Sequence, residues 1–225
     1  MKQFLDYGIP LKEFNLTRDD SGPQRFYIGE DGYKYLSVTS FLGQFGDKEA
    51  LQKWRDAVGE EEASRISKVA TDKGTAIHLA CENLLLNKPS PDSHLTMFDK
   101  FDFKNLRKHI EENVDKVFAL EHQMFSKKIS LAGTTDCIAE YHNSLSIIDF
   151  KTSSRLKYRD EISSYFLQGA AYAVMFYEQY KIIPKQIVIL MLVDKDPNVS
   201  VFIEPVNPWI SELMKLVKQQ KEVHA

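Results

Sequence analysis

The stretch SLSIIDFKTSS, residues 144–154, decides how the rest of the chain is read. Ser146 to Phe150 has the Ile-rich, polar-bounded composition of a buried strand. Two charges interrupt it. Strand alternation puts Asp149 and Lys151 on one face and Phe150 on the other. A carboxylate and an ammonium on a core strand need partners, because burying an unpaired charge is costly.

The segments VFALEHQMFS (117–126) and ISLAGTTDCIAEYH (129–142) are the preceding strand candidates. With a two-residue turn at Asn143-Ser144, Asp136 lies opposite Lys151 and Ile138 opposite Asp149. Opposed residues share a face, so Asp136, Asp149 and Lys151 converge on one side of the hairpin. A three-residue turn would change that parity. A structural ion pair is the competing reading, but two carboxylates beside one lysine leave an uncompensated acid. A hard, oxygen-seeking cation such as Mg²⁺ or Mn²⁺ would neutralise it. Such an ion can activate water and polarise a phosphate, while the ammonium offsets charge developing on phosphate oxygen. The constellation points to phosphodiester hydrolysis.

Outward from the hairpin, the first half reads as mostly helical. Asp47 caps a helix running to Val58, a pattern from Gly59 to Leu86 bends at Thr71–Gly74, and an amphipathic helix covers 99–115. Asp31-Gly32 marks a hairpin near the start. After the strands come a helix over 161–180, two further strands, and a terminal helix opened by Pro208. The fold class is α/β, α+β-like: a mixed central sheet flanked by helices, with the N-terminal helices over the cleft. One domain spans 1–225, with 1–115 as cleft wall and 116–225 as sheet core.

Composition removes several classes. A hydrophobic share of 43% and a charged share of 27% fit a globular chain. A net charge of -3 excludes a basic coat, although a nucleic-acid enzyme needs only a local basic track. Two cysteines, Cys81 and Cys137, cannot make a four-cysteine cluster, and no GKS/GKT or H-E-x-x-H motif is present. No signal-like segment or membrane span is seen, so no membrane role is expected. TSSRLKYRD, residues 152–160, supplies the local track: Thr152, Ser153, Arg155, Lys157 and Arg159 suit phosphates, and Tyr158 suits a base.

GTTD at 133–136 followed by DFK at 149–151 resembles the signature of the PD-(D/E)xK nuclease superfamily. GTAIH at 74–78, Glu121 in ALEHQMF, QGAAY at 168–172 and Ser37-Val38-Thr39 extend the resemblance to its RecB-like exonuclease branch. Within it, the chain is most similar to the mitochondrial genome maintenance exonuclease family and related phage and bacterial nucleases.

The resemblance implies a restriction-endonuclease-like sheet and an Mg²⁺- or Mn²⁺-dependent exonuclease. Asp136, Asp149, His78 and the Phe150 backbone carbonyl would be metal ligands, Lys151 the catalytic lysine and Glu121 a supporting acid. Gln168 and Tyr172 share a helix face and would touch substrate. The expected partner is single-stranded DNA with a free end, alongside replication or recombination proteins, with the enzyme a monomer. Its expected setting is the cytoplasm of a bacterial or phage-infected cell. An endonuclease of the same fold and a non-catalytic nucleic-acid-binding module are the alternatives.

Overall fold

The strand-forming runs of the chain join one mixed sheet. The computed structural model describes residues 2–6, 8, 11–196 and 198–223. Its strands are β1 (Leu5–Asp6), β2 (Thr17–Asp19), β3 (Phe26–Ile28), β4 (Lys34–Ser37), β5 (Val114–Ser126), β6 (Leu131–Tyr141), β7 (Ser144–Ser153), β8 (Gln186–Val193) and β9 (Val199–Pro205). Its helices are α1 (Val38–Gly43), α2 (Lys48–Val58), α3 (Glu60–Leu85), α4 (Met97–Asn113), α5 (Ser163–Tyr180) and α6 (Val206–Val223). Strands β5–β6–β7 form an antiparallel meander, β8 joins β7 in parallel, and β9 closes that side.

Alternation along β7 and β8 sorts the core into two layers. Ile147, Ile187, Ile189 and Met191 pack toward α1, α5 and α6. Ile148, Phe150, Val188 and Leu190 pack toward α3 and α4. Helix α5 lies very close to the sheet: a Cβ on Gly169 would sit 2.5 Å from Cγ2 of Ile187. The small residues Gly169, Ala170 and Ala171 permit that approach, and all three are buried.

Three expectations change. The hairpin turn is His142-Asn143, both at positive φ (48° and 60°), as the twist-matched two-residue turn requires. Tyr141 therefore pairs with Ser144 and Cys137 with Ile148, which shifts the register by two residues. Asp136 falls across from Asp149 rather than Lys151. A shift of two preserves the faces, so the convergence survives. Helix α3 is also continuous through Thr71–Gly74, over 26 residues, because a single glycine costs only about 1 kcal/mol in a helix. Finally, the mostly helical stretch expected as cleft wall contributes four strands, β1–β4, to the same sheet, the expected Asp31-Gly32 hairpin among them.

The far end of the wall is helical. Helix α2 has no buried residue, and residues 64–72 of α3 are exposed on every side. Together they form an exposed arm, whose α3 side borders a concavity with the end of β7.

Candidate active site

The site begins as a gap in strand pairing. One edge of β6 is occupied along its whole length by β5. The other edge is shared: β4 pairs with Leu131 and Ala132, and β7 pairs from Cys137 onward. Residues 133–136 are left without a strand on that side. Asp136 takes over the backbone function there, as its Oδ2 accepts a hydrogen bond from the Phe150 N–H at 2.9 Å. The GTTD motif thus lies where two strands diverge.

Three ligand-type side chains meet at this gap. Donor atoms of His78, Glu121 and Asp136 all lie within 4.8 Å of one another. His78 comes from α3, with Nδ1 3.4 Å from Asp136 Oδ2 and its ring edge-on to Phe150. Glu121 adopts a left-handed φ of 44°, in the position across from Asp136 between the pairs Leu120–Cys137 and His122–Thr135. A non-glycine residue in this conformation is strained, and such strain concentrates at functional sites. Desolvation in the cleft, then the charges of Asp136, Glu82 and Asp149, push the Glu121 pKa up to about 7. Two carboxylates and an imidazole fit a divalent cation that prefers oxygen, such as Mg²⁺ or Mn²⁺.

Asp149 does not join that cluster. It is 2% exposed, with Lys151 Nζ 2.5 Å from Oδ2 and Gln168 Nε2 donating to Oδ1 at 3.2 Å. Burial raises its pKa, with Lys151 opposing and Asp136 reinforcing the effect. Burial works against the Lys151 ammonium, but Asp149 and Asp136 outweigh it and raise its pKa. The Tyr165 ring lies 5.1 Å from the same ammonium. The cluster therefore holds Glu121, expected only as a supporting acid, where Asp149 was expected. Nothing distinguishes the Phe150 carbonyl, whereas the Phe150 amide is engaged by Asp136.

The helix motif divides into two roles. Gln168 reaches Asp149 and orients it. Tyr172 is buried behind Gly133, where an added Cβ would come within 2.9 Å of its ring. A ring packed this way cannot stack on a base. Tyr165, missed in the sequence, shares their helix face at spacings of three and four, a pattern that could have revealed it.

The basic track is more neutralised than its composition suggests. Arg155 pairs with Glu161, and Arg159 forms two hydrogen bonds to Glu204 while its guanidinium lies 5.7 Å from the Trp209 ring centre. Ser153 donates to the Arg155 carbonyl at 2.7 Å. Thr152 faces Gly74, with a Cβ there only 3.5 Å from its Oγ1. Lys157 and Tyr158 stay available, Tyr158 being 75% exposed. Concavities flank α3 on both sides of this contact. One, of about 550 Å³, is lined by Arg18, Arg25, His78, Glu82 and Glu121. The other, of about 400 Å³, is lined by Arg65, Lys73, Thr152, Ser153, Lys157 and Tyr165 among others. Arg18, Arg25 and Lys73 carried no local sequence signal. Cys81 and Cys137 are buried thiols of the core, and Glu140 turns away to Lys116.

The model of the PD-(D/E)XK nuclease superfamily matches residues 94–222, more than half of the chain. The chain belongs to that superfamily. Its members generally depend on divalent metal, in keeping with the His78–Glu121–Asp136 cluster of this superfamily chain. Mitochondrial genome maintenance exonuclease 1 of Xenopus tropicalis is 27% identical over 180 residues, covering 73% of this chain and 50% of the relative. The human protein of that name is 30% identical over 132 residues, covering 54% and 37%. The chain thus spans half or less of the curated relatives it matches. A solved structure from Eubacterium rectale aligns with a TM-score of 0.48 at 11% identity, covering 68% of this chain and 65% of its own.

Proposed function

We propose that this protein is a divalent-metal-dependent exonuclease that hydrolyses single-stranded DNA from a free end. The observation that carries the proposal is the His78–Glu121–Asp136 cluster beside the buried Asp149–Lys151 pair, opening into a cleft. The relatives named as exonucleases support the end-directed reading. His78, Glu121 and Asp136 would hold the cation, while the buried Asp149 anchors Lys151 beside them. Bound Mg²⁺ or Mn²⁺ supplies Lewis-acid polarisation of the scissile phosphate and a lowered pKa for water. Lys151 offsets negative charge on the phosphate oxygens, and Gln168 fixes the carboxylate that positions it. Lys157 lines the approach for the backbone.

The concavity between the α3 arm and the end of β7 suits a flexible strand better than a duplex, which is wider. Replication or recombination proteins are the fitting partners. Among the described residues, no helix is long and apolar enough to cross a membrane.

End-labelled linear single strands, duplexes and covalently closed single-stranded circles, each with Mg²⁺, Mn²⁺ or chelator, test the proposal. Linear single strands should be degraded with metal and circles should persist, while Asp136→Asn abolishes the reaction. Rapid cutting of circles would keep the nuclease and replace the exonuclease with an endonuclease. Unchanged activity in chelator or in Asp136→Asn would overturn the site.

A further inference from the structure

The first turns of α4 carry three large, strongly exposed apolar side chains. Met97 and Phe98 are each 85% exposed and Phe101 is 71% exposed. Their neighbour Phe103 is fully buried and anchors the helix, so the exposed rings are not needed for docking α4. Residues 97, 98, 101, 104 and 105 fall on one side of the helix by the three-and-four spacing. Lys100 and Lys104 flank that side. Both are exposed, and neither forms an ion pair among the described residues.

The charges on this segment are sorted. Its two acids turn inward to one cation: Lys73 Nζ lies 2.8 Å from Asp102 and 3.9 Å from Asp99. Lys73 also meets Asp194 at 2.7 Å and lines the concavity that contains Thr152, Ser153, Lys157 and Tyr165. Lys73 thus ties the first turns of α4 to the rim of that concavity, with the α4 lysines outward and the carboxylates sequestered.

We propose that Phe98 and Phe101, with Lys100 and Lys104, form a base-stacking platform for single-stranded nucleic acid leading from the candidate active site. Flat rings on an open helix face accept any base by its π-face, and the lysines meet the intervening phosphates. The exposed Lys100 and Lys104, and the tie through Lys73 to the rim of the cleft, favour a polyanion over an apolar protein segment. The inference rests on the nucleic-acid reading of the cleft and adds a second, outer binding region to it.

The test is equilibrium binding of labelled oligothymidines of graded length to the whole protein in chelator, where hydrolysis is suppressed. The shortest oligomers fill only the inner cleft, and longer ones reach α4. Phe98→Ala/Phe101→Ala should weaken binding of the long oligomers by roughly tenfold for each ring removed, about 1.4 kcal/mol each, and leave the shortest unaffected. Lys100→Ala/Lys104→Ala should flatten the salt dependence by about 0.7 for each phosphate no longer neutralised. Phe101→Trp should retain binding and show fluorescence quenching that the native Trp54 and Trp209 do not. Unchanged affinity of the Ala pair at every length would overturn the platform. So would a change confined to sedimentation of the free protein, which would mark an interface between copies. Failure of the wild type to hydrolyse DNA with Mg²⁺ or Mn²⁺ would instead strike the proposed function, a result read in a separate assay.

Discussion

Gly169→Ala tests whether the closeness of α5 to the sheet sets the chemistry. The new methyl would lie 2.5 Å from Ile187 Cγ2, where ordinary van der Waals approach begins at 3.4 Å, so α5 must retreat by nearly 1 Å. Ile187 cannot yield easily: it is β-branched, fully buried and held in β8. Overpacking of this kind costs about 1–3 kcal/mol, offset by about 1 kcal/mol of helix propensity gained over glycine. The net loss is roughly 0–2 kcal/mol, a fall of a few degrees in Tm for a chain of this size. Activity should suffer more. The adjacent Gln168 holds Asp149 at 3.2 Å, already the long end for a hydrogen bond, and a retreat of that size breaks it. Loss of such a supporting bond lowers the single-turnover rate by about 10–100-fold. Urea unfolding and single-turnover hydrolysis on Gly169→Ala, Ile187→Ala and the double variant measure both effects. Ile187→Ala removes all three clashing carbons, so the double variant should match Ile187→Ala in rate. Additive losses in the double variant would refute the steric argument, as would wild-type stability and rate for Gly169→Ala.

Lys151→Met should strand the buried Asp149 carboxylate and cost about 3–5 kcal/mol of stability at alkaline pH. The cost should shrink in acid, where Asp149 takes up a proton; a pH-independent loss in denaturant titrations would argue against the pairing. For Glu121, the folded pKa of about 7 exceeds its ordinary 4.5, so between those values the folded state binds more protons than the unfolded. Metal-free stability should therefore fall as pH rises through that window, while Mn²⁺ affinity climbs. The same profiles in Glu121→Gln, followed by unfolding midpoints and calorimetry, would contradict this. Lys157→Ala should lower the salt dependence of oligonucleotide binding more than Arg159→Ala does, because Arg159 is already committed to Glu204. An equal change for both would show that the Arg159 pair opens for substrate.

Local physics was legible in the order of the amino acids. Alternation in β6 and β7 set which side Asp136, Asp149 and Lys151 share, and a register shift of two left that intact. Asp47 announced its helix cap by type, and its side chain accepts the expected amide hydrogen. Asp31-Gly32 likewise marked the turn between β3 and β4, with Gly32 at positive φ. What depends on distance between elements emerged only on folding. Whether Asp149 or Glu121 sits with His78 and Asp136 follows from where β4 and β7 leave the edge of β6 and from one left-handed residue, neither of which has a local pattern. The arginines after β7 read as free cations because Glu161 and Glu204 meet them only in the folded chain. Tyr172 read as a substrate-touching residue because nothing in QGAAY states that Gly133 lies against its ring. Periodicity sets the face of each element; packing between remote elements sets which charges remain free on it.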